Sequence, residues 1–372
     1  MENYSHVLHS LTGLTLDAKN IDWPQVRRIL VVKLRSIGDT VLATPSLIAL
    51  RRFLPEAQID ILLEDWVAPL LEGFGEVDNV IEVGPGNFSR LAVMRRLRHE
   101  RYDVAFNLHG GTTSAFFTFA SGATHRIGYA EYQYSFLYNH LYSSALDFWK
   151  KPKTHSAEQQ LALLGFAGVP VEDRPKSRLA VSQAAVDSLE LKLRPRLSQI
   201  SDLKSEIALL HPAAAFATKQ WAAENFASVA EYLKQRGLQS VAVVAKNEHK
   251  VLENLKAVSR VPIVSFDDLT LTEITALASR AKIFVGNDSG IAHIAAAVST
   301  PTVVIFGSSN RDHWRPWTEA PNEIVFEEFA CQPCPGYECK EFGEPRCILS
   351  VTPESVIAAI DRVLGSEMKK DD

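Results

Sequence analysis

Residues 281–307 read AKIFVGNDSGIAHIAAAVSTPTVVIFG, and this stretch limits the fold more than any other part of the chain. The apolar run at 283–285 is broken by Gly286 and Asn287, an alanine-rich segment with helical character comes next, and Thr300-Pro301 stops it. Residues 302–306 then read as a buried strand of the kind found inside a parallel sheet. Strand, tight loop, short helix and strand make one βαβ crossover. Asp288 is expected at the helix N-cap, where its carboxylate accepts from the free amides of the first turn, and Gly290 permits close approach of backbone or ligand. Oriented amides at the positive end of a helix make Asp288-Ser289-Gly290 a candidate anion site. Every βαβ crossover also needs a capped helix, so local chemistry alone leaves a purely structural reading standing.

At 372 residues the chain exceeds what one core usually holds, so two domains are expected. With 46% apolar and 22% charged residues it can bury a sizeable core. A net charge of −5 argues against a general nucleic-acid binder, which needs a basic face to neutralise phosphates. No apolar run approaches the roughly 20 residues that cross a bilayer. The start, MENYSHVLHSLTGL, carries Glu2 and His6 rather than a basic segment before a long apolar one. A cytoplasmic protein is expected, with any membrane contact peripheral.

In chain order, residues 1–26 are an N-terminal extension, a docking helix or a frayed end, with Trp23-Pro24 at the entry to the first domain. Residues 28–34 (RILVVKL) are a strand, followed by Arg35-Ser36-Ile37-Gly38-Asp39 and a helix at 40–53. Strands at 58–63, 79–83 and 103–108 alternate with helices at 90–99 and 113–120, and a short strand is expected at 125–128. Helical spacing returns at 157–166, and then Pro170, Pro175 and the charged segment 183–205 suggest a boundary. Beyond it, strands at 207–210, 240–244 and 262–265 alternate with helices at 223–236, 249–258 and 272–280. Such βα alternation signals doubly wound parallel sheets, expected over an N-terminal domain at 27–185 and a C-terminal domain at 206–372, joined by a linker at 186–205.

Three segments in this order carry a resemblance: RILVVKLRSIGDTVLATPSLIALRRFLPEA, HPAAAFATKQWAAENFASVAEYL and FVGNDSGIAHIAAAVSTPTVVIFG. Together they resemble glycosyltransferase family 9, the ADP-heptose:lipopolysaccharide heptosyltransferases, from about Arg28 to Leu364. The resemblance implies an α/β fold of GT-B architecture, two Rossmann-like domains facing across a cleft. It further implies an acceptor held mainly by the first domain and a nucleotide sugar held by the second.

The residues themselves admit matching chemistry. In SIGDTV, Gly38 is expected to let the chain turn sharply off the strand, and Asp39 falls at the carboxyl end of a parallel strand, where open α/β sheets place ligands. Asp39 can be a helix N-cap; the resemblance implies the family's general base, which takes the proton from the attacking acceptor hydroxyl as configuration inverts. Lys219 is a solvated loop lysine or, as the resemblance implies, the cation that neutralises a diphosphate leaving group without a catalytic metal. Where relatives carry glycine or hydroxyl residues this loop has Ala213-Ala214-Ala215, which leaves backbone amides or Thr218 to meet phosphate. Asp288, Ser289, Gly290 and His293 match the family's phosphate-and-ribose loop, with a satisfied helix histidine as the plainer account of His293. Glu248 falls where the family places a ribose-binding acid, or is a glutamate at a helix start. Leu269 lines an adenine pocket or the core. Lys33, Arg35 and Arg126 are acceptor-phosphate contacts or surface charges.

All four cysteines lie in CQPCPGYECKEFGEPRC, within the loop 331–347. Cys331, Cys334, Cys339 and Cys347 have the form of a four-thiolate site, and a structural zinc or iron is expected there, with no open position for catalysis. Reduced thiols or a disulfide pair are the alternatives. The loop is proline- and glycine-rich, and coordination would supply the ordering that apolar contacts do not.

The expected function is therefore an inverting transferase that moves heptose from ADP-heptose to a lipopolysaccharide core acceptor, with peripheral contact at the inner membrane. The competing class is a nucleotide-sugar-binding protein that keeps the shell without turnover, and a transferase using another nucleotide sugar is a second alternative. A dinucleotide oxidoreductase is disfavoured, since RSIGDT lacks GxGxxG spacing.

Overall fold

The computed structural model describes residues 21–198, 206–334 and 336–367; the expected extension up to residue 20 and the end of the expected linker lie outside the described residues. Two compact units result. The first takes the described residues up to Arg35, Pro45–Ala68 and Gly75–Pro175; the second takes Ser36–Thr44, Pro69–Phe74 and the chain from Lys176 onward.

The first unit is built on β1 (Arg28–Leu34), β2 (Gln58–Glu64), β3 (Asn79–Val83), β4 (Val104–Asn107), β5 (His125–Tyr129) and β6 (His140–Tyr142). The strands run parallel in the order β3-β2-β1-β4-β5-β6. Central β1 is buried along its length except at Arg28, as expected of a strand covered on both faces. The helices from this half of the chain are α1 (Ile37–Val41), α2 (Thr44–Phe53), α3 (Asn87–Glu100), α4 (Thr112–Ala120), α5 (Ala145–Trp149) and α6 (Ser156–Phe166). Val93 and Leu97 of α3 and Phe117 of α4 pack on Leu30, Val32, Leu62 and Ile81 of the sheet.

The single helix expected at 40–53 is instead two, α1 and α2. Pro45 has no amide proton to extend the α1 ladder, and Thr44 Oγ1 donates to the Val41 carbonyl at 2.7 Å, turning the chain into α2. Gly38 does not make the turn off β1. Leu34 does, at a φ of 60°, while Gly38 lies inside α1.

The second unit repeats the plan with β7 (Glu206–His211), β8 (Leu238–Val243), β9 (Val264–Phe266), β10 (Ile283–Asn287), β11 (Thr302–Ile305) and β12 (Asn322–Val325), in the parallel order β12-β11-β10-β7-β8-β9. Counted from its own first strand, this is the strand order of the first sheet. Its helices are α7 (Gln183–Leu197), α8 (Ala223–Gln235), α9 (His249–Val258), α10 (Leu271–Arg280), α11 (Gly290–Ala297), α12 (Arg311–Trp314), α13 (Arg346–Leu349) and α14 (Pro353–Glu367). Trp221, Phe226, Leu233 and Ile360 fill the core with Leu210, Val285 and Ile305.

The expected linker begins inside α7. Ala185, Leu189, Leu193 and Leu197 recur every four residues and are buried, and the Ser182 hydroxyl accepts from the Ala185 amide as an N-cap. Ser188 and Lys192 on the same helix donate to the buried Glu273 carboxylate of α10 at 2.7 and 2.9 Å, so α7 is tied by its polar residues to a helix distant in sequence.

Candidate active site

Loops at the carboxyl ends of β7, β8 and β10, together with the segment Ser36–Thr44, enclose a pocket of about 470 Å³ in the second unit. It is lined by Gly38, Asp39, Lys219, Glu248, Leu269, Asp288, Ser289, Gly290 and His293, nearly all of the residues singled out from the sequence. Thr218, Arg35 and Arg126 are not among its walls.

Two helices meet there because glycine allows it. A Cβ at Gly38 of α1 would lie 2.8 Å from Cδ2 of His293, and a Cβ at Gly290 of α11 would lie 2.7 Å from Cβ of Ile37. Neither glycine needs a left-handed backbone; each is required by close approach. The N-cap of α1 is Ser36, so Asp39 is not the cap: it sits in the first turn, half-buried, and accepts from Ser36 Oγ at 3.0 Å.

Asp288 is also not a cap. The N-cap of α11 is Ser289, and the buried Asp288 carboxylate accepts from Lys219 Nζ at 2.8 Å and from Ser309 Oγ. Lys219 is therefore not a solvated loop lysine; its side chain is 20% exposed and aimed by an ion pair with a 6%-exposed partner. Ser289 Oγ and His293 Nδ1, both buried, have no hydrogen-bond partner among the described residues. Burial pushes the His293 pKa below its ordinary value, against the pull of the Asp288 and Asp39 carboxylates, so the ring is neutral near pH 7. It brings a second uncommitted polar atom to the site.

Glu248 lines the pocket at the start of α9, and one carboxylate oxygen accepts from the Ala245 amide at 2.9 Å, leaving the other for a ligand. Leu269, Leu271 and Ile274 supply apolar wall, and Ala214 and Ala215 bring backbone with minimal side chain. Several lining residues were missed by sequence reading, His211 and Trp314 among them. His211, held by Nδ1 on the Val243 carbonyl at 2.8 Å, ends a strand that reads as wholly apolar, and Trp314 belongs to a four-residue helix with no periodicity to find.

Thr218 turns away. Its hydroxyl donates to the Gly336 carbonyl and lies 2.9 Å from Ser308 Oγ, in a small cavity lined by all four cysteines. The cysteine-rich loop is also tied by the Cys334 amide on the Ser308 carbonyl at 3.0 Å and by Gln332 Nε2 on the Gly307 carbonyl at 2.6 Å. It thus props the turn Ala217–Lys219 from behind. The four thiols are free, and burial, reinforced by the neighbouring thiols, raises the Cys347 pKa. Among the described residues, no three His, Cys, Asp or Glu side chains form a group arranged to hold a metal ion.

In the first unit, Lys33 is buried and donates to the Leu108 carbonyl at 3.0 Å, which makes it a structural cation. Arg126 gives Nε to the Leu137 carbonyl and Nη1 to the Ala123 carbonyl, at 2.8 and 2.9 Å, so its guanidinium is largely committed. Arg35 is exposed. No helix among the described residues is long and apolar enough to cross a membrane.

Comparison with known proteins gives the family and the fold. Residues 90–343 match glycosyltransferase family 9 (heptosyltransferase). The chain is 29% identical to lipopolysaccharide heptosyltransferase 3 of Escherichia coli K12 over 359 residues, covering 91% of this chain and 98% of that one. Among solved structures, the ADP-heptose lipopolysaccharide heptosyltransferase II of E. coli superposes with a TM-score of 0.77 at 21% identity, over 92% of this chain and 99% of that one. An iron-containing dodecameric glycosyltransferase of enterotoxigenic E. coli shares the fold more loosely, with a TM-score of 0.57 at 15% identity, over 92% of this chain and 77% of that one. The two parallel sheets are those of the GT-B architecture. The chain belongs to glycosyltransferase family 9 and is a glycosyltransferase.

Proposed function

We propose that the protein moves heptose from ADP-heptose to a sugar of a lipopolysaccharide core, with inversion at the anomeric carbon. The observation that carries this reading is that one pocket presents both the Asp39 carboxylate and the Lys219–Asp288 ion pair. A base and a diphosphate-neutralising cation on one cavity suit displacement at a sugar. The acceptor hydroxyl oxygen forms the new bond to the anomeric carbon and its proton passes to Asp39, while the bond to the β-phosphate oxygen breaks and its electron pair leaves on ADP. Lys219 opposes the charge that grows on the departing diphosphate. Asp288 acts through Lys219, since a carboxylate would repel phosphate directly. The first-turn amides of α11 and the unpartnered Ser289 hydroxyl supply donors to phosphate oxygens. On this reading Glu248 takes ribose hydroxyls and Leu269 lies against the base. The second unit is then the nucleotide-sugar domain, and Arg35 remains the freest of the three expected acceptor contacts.

Names of similar proteins support the donor and the acceptor class: lipopolysaccharide heptosyltransferase for the sequence relative and ADP-heptose for the solved structure. The test is ADP release from a panel of nucleotide sugars, each with truncated lipopolysaccharide acceptors. Acceptor-dependent turnover of ADP-heptose alone is expected. Equal turnover of uridine or guanosine diphosphate sugars would overturn the donor, and donor binding without transfer to any acceptor would overturn the reaction.

On the same reading Cys331, Cys334, Cys339 and Cys347 hold one structural zinc or iron ion. The donor set fits, four soft thiols around one small cavity, although the described side chains are not drawn into a metal-holding arrangement. A four-thiolate ion has no open position for substrate, so its contribution would be to order the loop that backs Thr218. About one ion per chain in protein purified without a metal-affinity tag is expected. Chelation should lower Tm before it lowers turnover per folded molecule; metal-free protein of unchanged stability would remove the site.

A further inference from the structure

The first unit carries apolar surface that its own fold leaves uncovered. On α3, Val93 and Leu97 face the core, while Phe88 stands 93% exposed and Leu91 is exposed beside it in sequence and in helical turn. On α4, which packs beside α3, Phe117 is buried but Phe116 and Phe119 are exposed. Tyr134 continues the strip, its ring 5.4 Å from Phe116 and 6.0 Å from Phe136, and Phe136 is 78% exposed. An aromatic side chain held in water is usually singular; here Phe116, Tyr134 and Phe136 stand together, and Phe88 and Leu91 are exposed on α3, the helix that packs on α4.

The segment that forms α3 also gathers positive charge. Between Asn87 and Arg101 the chain carries Arg90, Arg95, Arg96, Arg98 and Arg101 against the single acid Glu100, in a protein of net charge −5. Glu100 is already engaged by Arg28 at 3.2 Å. Arg126 lies over the Phe119 ring at 5.7 Å, and Arg98 packs where a side chain at Gly122 would stand. Aromatic groups that sit at headgroup depth, ringed by arginines that pair with phosphates, are the composition of a surface that binds an anionic bilayer. A second copy of the chain suits it less well, because a two-fold contact would set the arginines of α3 against their own equivalents.

We propose that this face, centred on Phe88, Leu91, Phe116 and Phe136 and flanked by Arg95 and Arg96, docks the protein on an anionic lipid bilayer. The proposal deepens the functional reading by naming the surface from which a lipid-anchored acceptor is reached, and its test is kept apart from transfer. Full-length protein is sedimented with phosphatidylcholine vesicles and with phosphatidylglycerol/phosphatidylethanolamine vesicles over a range of salt. Binding to the anionic vesicles only, falling as salt rises, is expected. The pair Phe88→Ser/Phe136→Ser and, separately, Arg95→Glu/Arg96→Glu should each weaken that binding by about tenfold or more. Both variants change exposed positions, so Tm should hold, and transfer to a delipidated, water-soluble acceptor should stay at the wild-type rate.

Absence of vesicle binding by the wild type at low salt would overturn the proposal, as would equal binding by both variants. Loss of a sedimenting dimer in the variants with vesicle binding intact would assign the face to a second copy instead. Failure of the functional reading shows separately, as no transfer by the wild type to the soluble acceptor.

Discussion

The fourth strand of each sheet ends on a buried asparagine, and the two do the same local work. Asn107 at the end of β4 donates to Ser114 Oγ and the Tyr138 hydroxyl and accepts from the amides of His109 and Gly110. Asn287 at the end of β10 donates to the Pro212 carbonyl and accepts from the Trp221 amide. The segments beyond the two asparagines differ. In the loop just after Asn107 the polar groups are bonded within the unit, and the helix that follows it exposes the aromatic rings of Phe116 and Phe119. After Asn287 the chain runs into Asp288, Ser289 and His293, which keep buried polar atoms pointed at a pocket. On the readings proposed above, one backbone plan serves two ends, a chemical site in the second unit and a docking face on the first.

The largest test of that division is Asp39→Asn. It keeps shape and removes the base, so turnover should fall by about 10²–10⁴ while donor affinity by calorimetry stays. Unchanged turnover would move the chemistry elsewhere. Lys219→Ala should lower turnover by about 10² and weaken nucleotide-sugar binding, because the growing charge on the diphosphate loses its counterion. Lys219→Arg should restore part of both; identical alanine and arginine variants would reduce the ion pair with Asp288 to a structural contact.

Asn107→Ala and Asn287→Ala then sharpen the comparison directly. Each strands buried partners, at a cost of about 1–3 kcal/mol in urea unfolding. Only Asn287→Ala should also alter donor affinity, and a matching donor effect from Asn107→Ala would show that the first unit shares the pocket's task.

The smallest effect is on acid stability. Burial lowers the pKa values of His211 and His293 in the second unit and of His140 in the first, the last to about 4, with His125 Nδ1 2.9 Å from His140 Nε2. Each depressed value means that the unfolded chain binds protons first. Stability from these groups is intact above the ordinary histidine value of 6.5 and is lost as pH falls from there towards 4. Urea midpoints between pH 7 and pH 4 should show that loss, and His140→Gln should flatten it; an unaltered slope would place the acid sensitivity at groups other than His140.

Much of this fold was legible because parallel strands advertise themselves. RILVVKL gave β1 at both ends, and α9 was bounded correctly from its spacing. α7 was lost because its charges outnumber a four-residue leucine repeat, and charge pairs with α10 cannot be seen along the chain. In the site, Asp39, Lys219 and residues 288–293 stood in readable motifs. The Lys219–Asp288 pair joins residues far apart in sequence, and Thr218 faces the cysteine loop for a reason visible only in space. Gly38 was singled out for a turn that Leu34 makes; its true requirement is the ring of His293.

That requirement bears on how such proteins can be recombined. Ser36–Thr44 belongs with the second unit, so a hybrid spliced from two family members at Lys176 inherits Gly38 and Asp39 from one parent and Gly290 and His293 from the other. With separations of 2.8 and 2.7 Å for added carbon atoms, a side chain at either glycine would force its neighbour to shift. Grafts that carry Ser36–Thr44 with the α11 to which it is fitted should give soluble, donor-binding protein where a simple splice does not.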